Sequence, residues 1–217
     1  MTATDYRTIR AFHNDFCDRI VNSVPTIDRV VRTFARQMGL MQGNTFVLSS
    51  RDDLTYPMEC HFFQSAHGIP SVLQRYAATE PDLTEREQFY LQAMLDNRPT
   101  MVEVLATDAA RGTLTGTDLR FGGTLTWFDL GLSQSIQPGY LAVLRALPLA
   151  PDSDYHFGSG TTLIWQPRYH DKLLRDLTGK SRSDRSRRGK PVPKRSFFVR
   201  AYLAYRRYGE LVVRKDV

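Results

Sequence analysis

The chain has 217 residues, of which 41% are hydrophobic and 11% aromatic. That composition excludes fibrous and low-complexity classes and suits one compound domain or two small ones with a buried core. The formal net charge of +6 is unevenly spread. Residues 1–164 hold thirteen Arg, no Lys and eighteen acids, a net −5, whereas residues 165–217 hold sixteen Lys and Arg against five acids, a net +11.

Two cysteines, Cys17 and Cys60, cannot build a disulfide framework, and neither stands in a CxxC or CxxH pair. A reducing compartment is expected, with both thiols serving as small buried apolar groups. The first twenty-five residues carry charges throughout and lack the apolar core of a secretory signal. No window approaches eighteen uncharged apolar residues, so the expectation is a soluble cytoplasmic protein with no membrane partner.

In chain order, Ile9, Phe12, Phe16, Ile20 and Val24 recur every three or four positions and predict an amphipathic helix that ends before Pro25. A second helix is expected from Thr26, with Ile27, Val30, Val31, Phe34 and Met38 on one face and Gly39 as its stop. The proline break between them suggests an antiparallel pair. "NTFVLSS" reads as a short strand or extended linker, and "TYPMECHFFQSAHGIPSVLQRYA" as two short helices broken at His67-Gly68. In "DLTEREQFYLQAML", Thr84 and Glu87 form a capping box ahead of an apolar face of Tyr90, Leu91, Met94 and Leu95.

After Pro99 the period falls from near 3.6 to near two. "TMVEVLAT", "GTLTGTDLRF", "TLTWFDL", "GYLAVLRAL", "DYHFGS" and "TTLIWQ" are short runs rich in β-branched and aromatic residues, separated by glycine and proline signals. Five or six such strands predict a small, bent antiparallel sheet or half-open barrel. From Pro167 a helix is expected in "RYHDKLLRDLTG", then a basic stretch, then a last helix that Ser196 caps and Gly209 stops. The fold class is therefore α+β, organised as a helical region over 1–98, a β module over 99–166 and a basic C-terminal extension over 167–217.

The succession "LTEREQFYLQAML", "MVEVL", Gly112, Thr117 to Leu119, "TWFDLGLS", Pro138-Gly139, "VLRALPL" and "FGSG" resembles the helical-plus-β module of bacterial SEC-C-motif proteins over roughly Met58 to Gly160. The cysteine-rich metal motif that names that family is absent from this sequence, so the resemblance implies no metal and no catalytic residue. It implies a bacterial or phage-like intracellular protein.

The chemistry-bearing residues are sparse. Cys60, His61 and His67 are too poorly spaced for a metal site. Asp152, Asp154 and His156 in "PDSDYHFGSG" offer two carboxylates and an imidazole, the materials of a hydrolase or nuclease, but they also read as a turn rich in Asp, Ser and Gly. "GSGTT" has neither the lysine nor the helix of a phosphate loop. No catalytic residue, metal or cofactor is assigned, and a non-enzymatic protein is expected.

The strongest signal is "GKSRSDRSRRGKPVPKRS", with eight cations in eighteen residues and too little apolar surface to offset the entropy of ordering. Phosphate backbones are the partner such a segment suits, since each neutralised phosphate releases counterions. The expected nucleic-acid-binding residues are Lys180, Arg182, Arg185, Arg187, Arg188, Lys190, Lys194 and Arg195, followed by Arg200, Tyr202, Tyr205, Arg206 and Arg207, where the tyrosines either add stacking surface or form the packing face of the helix. RNA or DNA is the expected partner, placing the protein at the nucleoid or ribosome. The alternative is a protein-interaction adaptor in which the basic arm docks on an acidic protein.

Overall fold

Pro25 and Gly39 divide the first forty residues into two helices, as their spacing predicts. In the computed structural model, which describes residues 3–79, 81–178 and 195–208, these are α1 (Ala3–Ser23) and α2 (Asp28–Gln37). Gly39 adopts the left-handed conformation at φ +74°, and Leu40 N–H then reaches back to the Ala35 carbonyl at 2.8 Å, closing the helix end. A two-residue hairpin follows, β1 (Met41–Gln42) with β2 (Thr45–Phe46). A 3₁₀ turn at Arg51–Leu54 leads into α3 (Thr55–Phe63). His67 and Gly68, both at positive φ, separate it from α4 (Val72–Ala77).

The capping box of α5 (Glu85–Asp96) forms as expected. Thr84 N–H donates to Glu87 Oε2 at 2.8 Å, and Glu87 N–H donates to Thr84 Oγ1 at 3.4 Å. Arg19 also pairs with Glu87, fastening α1 to the start of α5.

The β module consists of β3 (Thr100–Asp108), β4 (Thr113–Asp118), β5 (Thr124–Phe128), β6 (Leu141–Pro148) and β7 (Tyr155–Trp165), with the one-turn α6 (Leu132–Ser135) between β5 and β6. The strands close in the order β3-β4-β5-β7-β6, and β6 returns to β3. Val102, Val104, Leu114, Trp127, Ala142, Leu144 and Ile164 fill the barrel, with Leu132 and Ile136 beside them. The outward residues Leu141, Val143 and Leu147 of β6 and Phe157, Leu163 and Trp165 of β7 are apolar as well, which is why "LAVLRAL" reads as a run broken only by Arg145.

Three expectations are corrected here. The barrel is closed rather than half-open, and β5 pairs with β7 in parallel. "DYHFGS" and "TTLIWQ" are one strand, β7, because Gly160 at φ +80° absorbs a bulge instead of a reversal. The pairing jumps there from Val143 with Leu163 to Arg145 with Ser159, and that bend lets one strand follow the barrel wall. Finally, α1 and α2 are not a packed pair. Phe16 and Ile20 of α1, with Val24 just after it, join α4, α5 and the outward Phe128, Leu147 and Phe157, whereas Val30, Phe34 and Ala35 of α2 join α3 and the outward Met101, Val143 and Trp165. The barrel offers more apolar surface than either helix offers the other.

The C-terminal extension is built into this second cluster. The helices α7 (His170–Thr178) and α8 (Phe197–Tyr208) bury Leu173, Leu177, Phe198, Val199, Ala201 and Tyr202 in it. Ser196 caps α8 as expected, its Oγ accepting from Val199 N–H at 3.3 Å. Among the described residues no helix is long and apolar enough to cross a membrane.

Candidate functional site

The two ends of the basic arm are held by α7 and α8. Tyr169 stacks on Tyr208 with ring centroids 5.7 Å apart, and Lys172 Nζ lies 4.0 Å over the Tyr208 ring. Lys180, Arg182, Arg185, Arg187, Arg188, Lys190 and Lys194 lie outside the described residues. Arg206 and Arg207 are exposed, the former donating to Ser49 Oγ at 3.4 Å, while Arg195 and Arg200 are half-buried. Exposed Lys172 and Arg175 on α7 extend the basic surface, interleaved with exposed Asp171 and Asp176.

Tyr202 is corrected as a stacking residue. It is fully buried, its ring lies 4.4 Å from that of Tyr56, and its hydroxyl donates to Asp53 Oδ1 at 3.0 Å, so no base can reach its face. Tyr205 is half-buried and turns its ring toward Trp165, at 6.0 Å. Helical spacing identified the tyrosines without showing which face the core would claim.

A second feature had no counterpart in the sequence reading. Between α1, α3 and β7 lies a cleft of about 800 Å³ whose lining includes His13, Glu59, His61 and Ser159, all buried. Glu59 is held by two donors, Arg145 Nε to its Oε1 at 3.1 Å and Thr161 N–H to its Oε2 at 2.8 Å. Burial pushes the Glu59 carboxyl up and the Arg145 guanidinium down, the direction expected when desolvation outweighs mutual attraction. The Arg145 guanidinium also lies 4.1 Å over the Phe63 ring.

Gly160 covers this carboxylate. A Cβ built there would stand 2.9 Å from Glu59 Cδ, on a backbone already at φ +80°. Gly160→Ala should therefore lower stability by about 2–3 kcal/mol, from strain and overpacking together. Urea denaturation checks this, and a variant as stable as the parent would show that the carboxylate moves aside freely.

Ser159 Oγ and His13 Nε2 are 3.3 Å apart, and Cys17 Sγ lies 3.6 Å from the same nitrogen. Burial, reinforced by Arg10, pushes the His13 imidazole down to about 4, and burial pushes the Cys17 thiol up to about 12. The imidazole is thus neutral and weakly basic at pH 7, the thiol is protonated, and no carboxylate hydrogen bond to His13 is found among the described residues. The pair lacks the orienting acid that makes a serine strongly nucleophilic. His61 accepts Ile27 N–H on Nε2 at 3.1 Å, which places the proton of the neutral ring on Nδ1.

The sequence candidates lie elsewhere. Asp152 and Asp154 are exposed in the turn before β7, where Ser153 N–H reaches the Ala150 carbonyl at 3.1 Å, and His156 is half-buried. Cys60 and His61 are both buried although adjacent, because α3 is enclosed by α2, α4, α8 and the barrel on several sides. Among the described residues no three His, Cys, Asp or Glu side chains are grouped to hold a metal ion. The one signal that pointed to the cleft was a lone Glu in "TYPMECHFF" and a lone Arg in "LAVLRAL", charges placed where burial was expected.

The model of DUF7986, a family of unknown function, matches residues 1–215 of the chain. No curated protein and no solved structure matches it.

Proposed function

The chain belongs to the DUF7986 family, and we propose that it associates with RNA or DNA through the phosphate backbone, using its basic C-terminal quarter. The observation that carries this reading is the charge division, −5 over residues 1–164 against +11 over residues 165–217. In sequence the arm lies between α7 and α8, the latter carrying exposed Arg206 and Arg207. Such a surface binds with little sequence preference, since phosphates carry no base identity.

The barrel adds an architectural likeness only. Five-stranded closed barrels include oligonucleotide binders of the OB type, but a shared architecture assigns no residue. On β4 and β5 the outward positions that are not covered are Thr115, Thr117, Thr124 and Thr126, and the outward Phe128 is buried in the helical cluster, so no aromatic platform faces solvent there. The arm, not the barrel wall, is the proposed interface.

Cutting the chain at Gly179 would remove α8 and with it four fully buried core residues, Phe198, Val199, Ala201 and Tyr202. The arm is therefore tested in place, by changing Lys180, Arg182, Arg185, Arg187, Arg188, Lys190 and Lys194 together to Ser or Gln. With about four phosphates neutralised, log K should fall against log salt with a slope of about −3.6 on duplex or about −2.8 on single strands. Mobility shifts across a salt series measure this, and the neutralised variant should lose most of the binding. A salt-independent complex, or one that the neutralised variant forms equally well, would overturn the reading.

A protein-interaction adaptor is the second reading, favoured by exposed Leu105 and Phe121 on the barrel, at 52% and 54%. Captured partners that survive nuclease treatment and are lost in Leu105→Ser/Phe121→Ser would select it.

A further inference from the structure

We propose that the cleft between α1, α3 and β7 is a binding site for a small uncharged molecule with a flat apolar body and a carbonyl or amide oxygen. This does not rest on the nucleic-acid reading, because it uses none of the same residues.

At about 800 Å³ the cleft is within the range of small-molecule sites. Its walls are largely apolar, with Tyr56, Phe62 and Phe63 supplying ring surface and Val21 and Val24 aliphatic surface. Asn14, Asp18 and Thr55 are exposed polar residues of the lining, whereas Glu59, His61 and Ser159 are buried, where fixed polar groups orient a ligand. One of them is incomplete. His61 is 1% exposed, its Nε2 is taken by Ile27 N–H, and its buried Nδ1 has no hydrogen-bond partner among the described residues. A buried donor left unpaired costs about 1–3 kcal/mol, so an oxygen acceptor entering the cleft has that much to recover.

Charge decides the rest of the ligand's chemistry. The Glu59 carboxylate is balanced by Arg145, and Arg10 donates to the Gly158 carbonyl. Burial holds both His13 and His61 below the usual imidazole range, so neither supplies a positive charge at pH 7. Asp18 and Asp52, both exposed, add negative charge to the lining. The charge of Arg10, which a carbonyl does not neutralise, is outweighed by these two carboxylates, so an anion would lose its hydration at a net negative lining, whereas an uncharged acceptor loses little.

Three matched probes test this on the full-length protein: indole-3-acetamide, indole-3-acetate and tryptamine share one ring and differ in charge. Titration calorimetry should give saturable binding of the acetamide, with a Kd at least tenfold lower than that of the acetate. His61→Phe should weaken the acetamide at least tenfold. Because His61 also anchors Ile27, Val21→Trp provides an independent check: Val21 is 41% exposed, so a bulky ring there blocks the cleft without entering the core. Absence of saturable acetamide binding at millimolar concentration would overturn the proposal. So would acetate or tryptamine binding as tightly, or acetamide binding unchanged in a folded Val21→Trp.

Discussion

Arg145→Met should lower the unfolding free energy by about 3–5 kcal/mol, as much as truncating a buried Trp side chain. The side chains of Arg145 and Glu59 are 1% and 4% exposed, and their contact joins β6 to α3 across 86 positions of sequence. Removing the guanidinium leaves a buried carboxylate with Thr161 N–H as its remaining donor, and it removes the cation above the Phe63 ring. The same physics predicts a partial rescue. In Glu59→Leu/Arg145→Met neither charge is left uncompensated, and the double variant should be more stable than either Arg145→Met or Glu59→Leu alone. Urea denaturation of the three proteins measures the coupling, and additive losses would show that the two charges do not depend on each other.

Acidification from pH 6.5 toward 4 should cost about 3 kcal/mol through His13 alone. Its imidazole titrates at about 4 when folded against 6.5 in the unfolded chain, because burial penalises the charged ring and Arg10 repels it. The folded state thus favours the neutral form, and as pH falls the unfolded state takes up the proton first. The contribution is fully present above 6.5, declines through the window and levels off below 4. Burial also lowers His61 and His156, which act in the same sense. Comparing stability at pH 7 and pH 4.5 for the parent and His13→Gln isolates the His13 share. An equal loss in both proteins would mean that His13 is not the group responsible.

The features legible in the sequence were those set within a few residues. The Thr84–Glu87 box, the Ser196 cap, the break at His67-Gly68 and the stop at Gly39 all depend on contacts three to five positions apart, and each formed. The barrel wall was read as short strands for the same reason, since alternation reflects one strand facing two sides. The run through Gly158 and Gly160 misled because glycine serves both turns and bulges. Only the partner strand, with Arg145 opposite Ser159, distinguishes the two.

The candidate sites divide in the same way. The charge imbalance that marks the arm is a property of composition, independent of folding. Tyr202 fitted a stacking platform and a packing face equally because Phe198, Tyr202 and Tyr205 share a helical stripe, and a stripe does not say whether it meets the core or a ligand. The cleft was invisible because it is made by residues far apart: His13 with Ser159, 146 positions away, and Glu59 with Thr161, 102 away.

By itself the sequence determined the helical segments and their ends, the strand-forming stretch and the concentration of cations after residue 164. These follow from backbone sterics, local hydrogen bonding and charge, all of which act along the chain. The tertiary structure decided the closure of the barrel, the separation of α1 from α2, the inward turn of Tyr202 and the pairing of Glu59 with Arg145. Each of these is a competition for buried surface among distant segments, and its outcome depends on which surfaces meet once the barrel has formed.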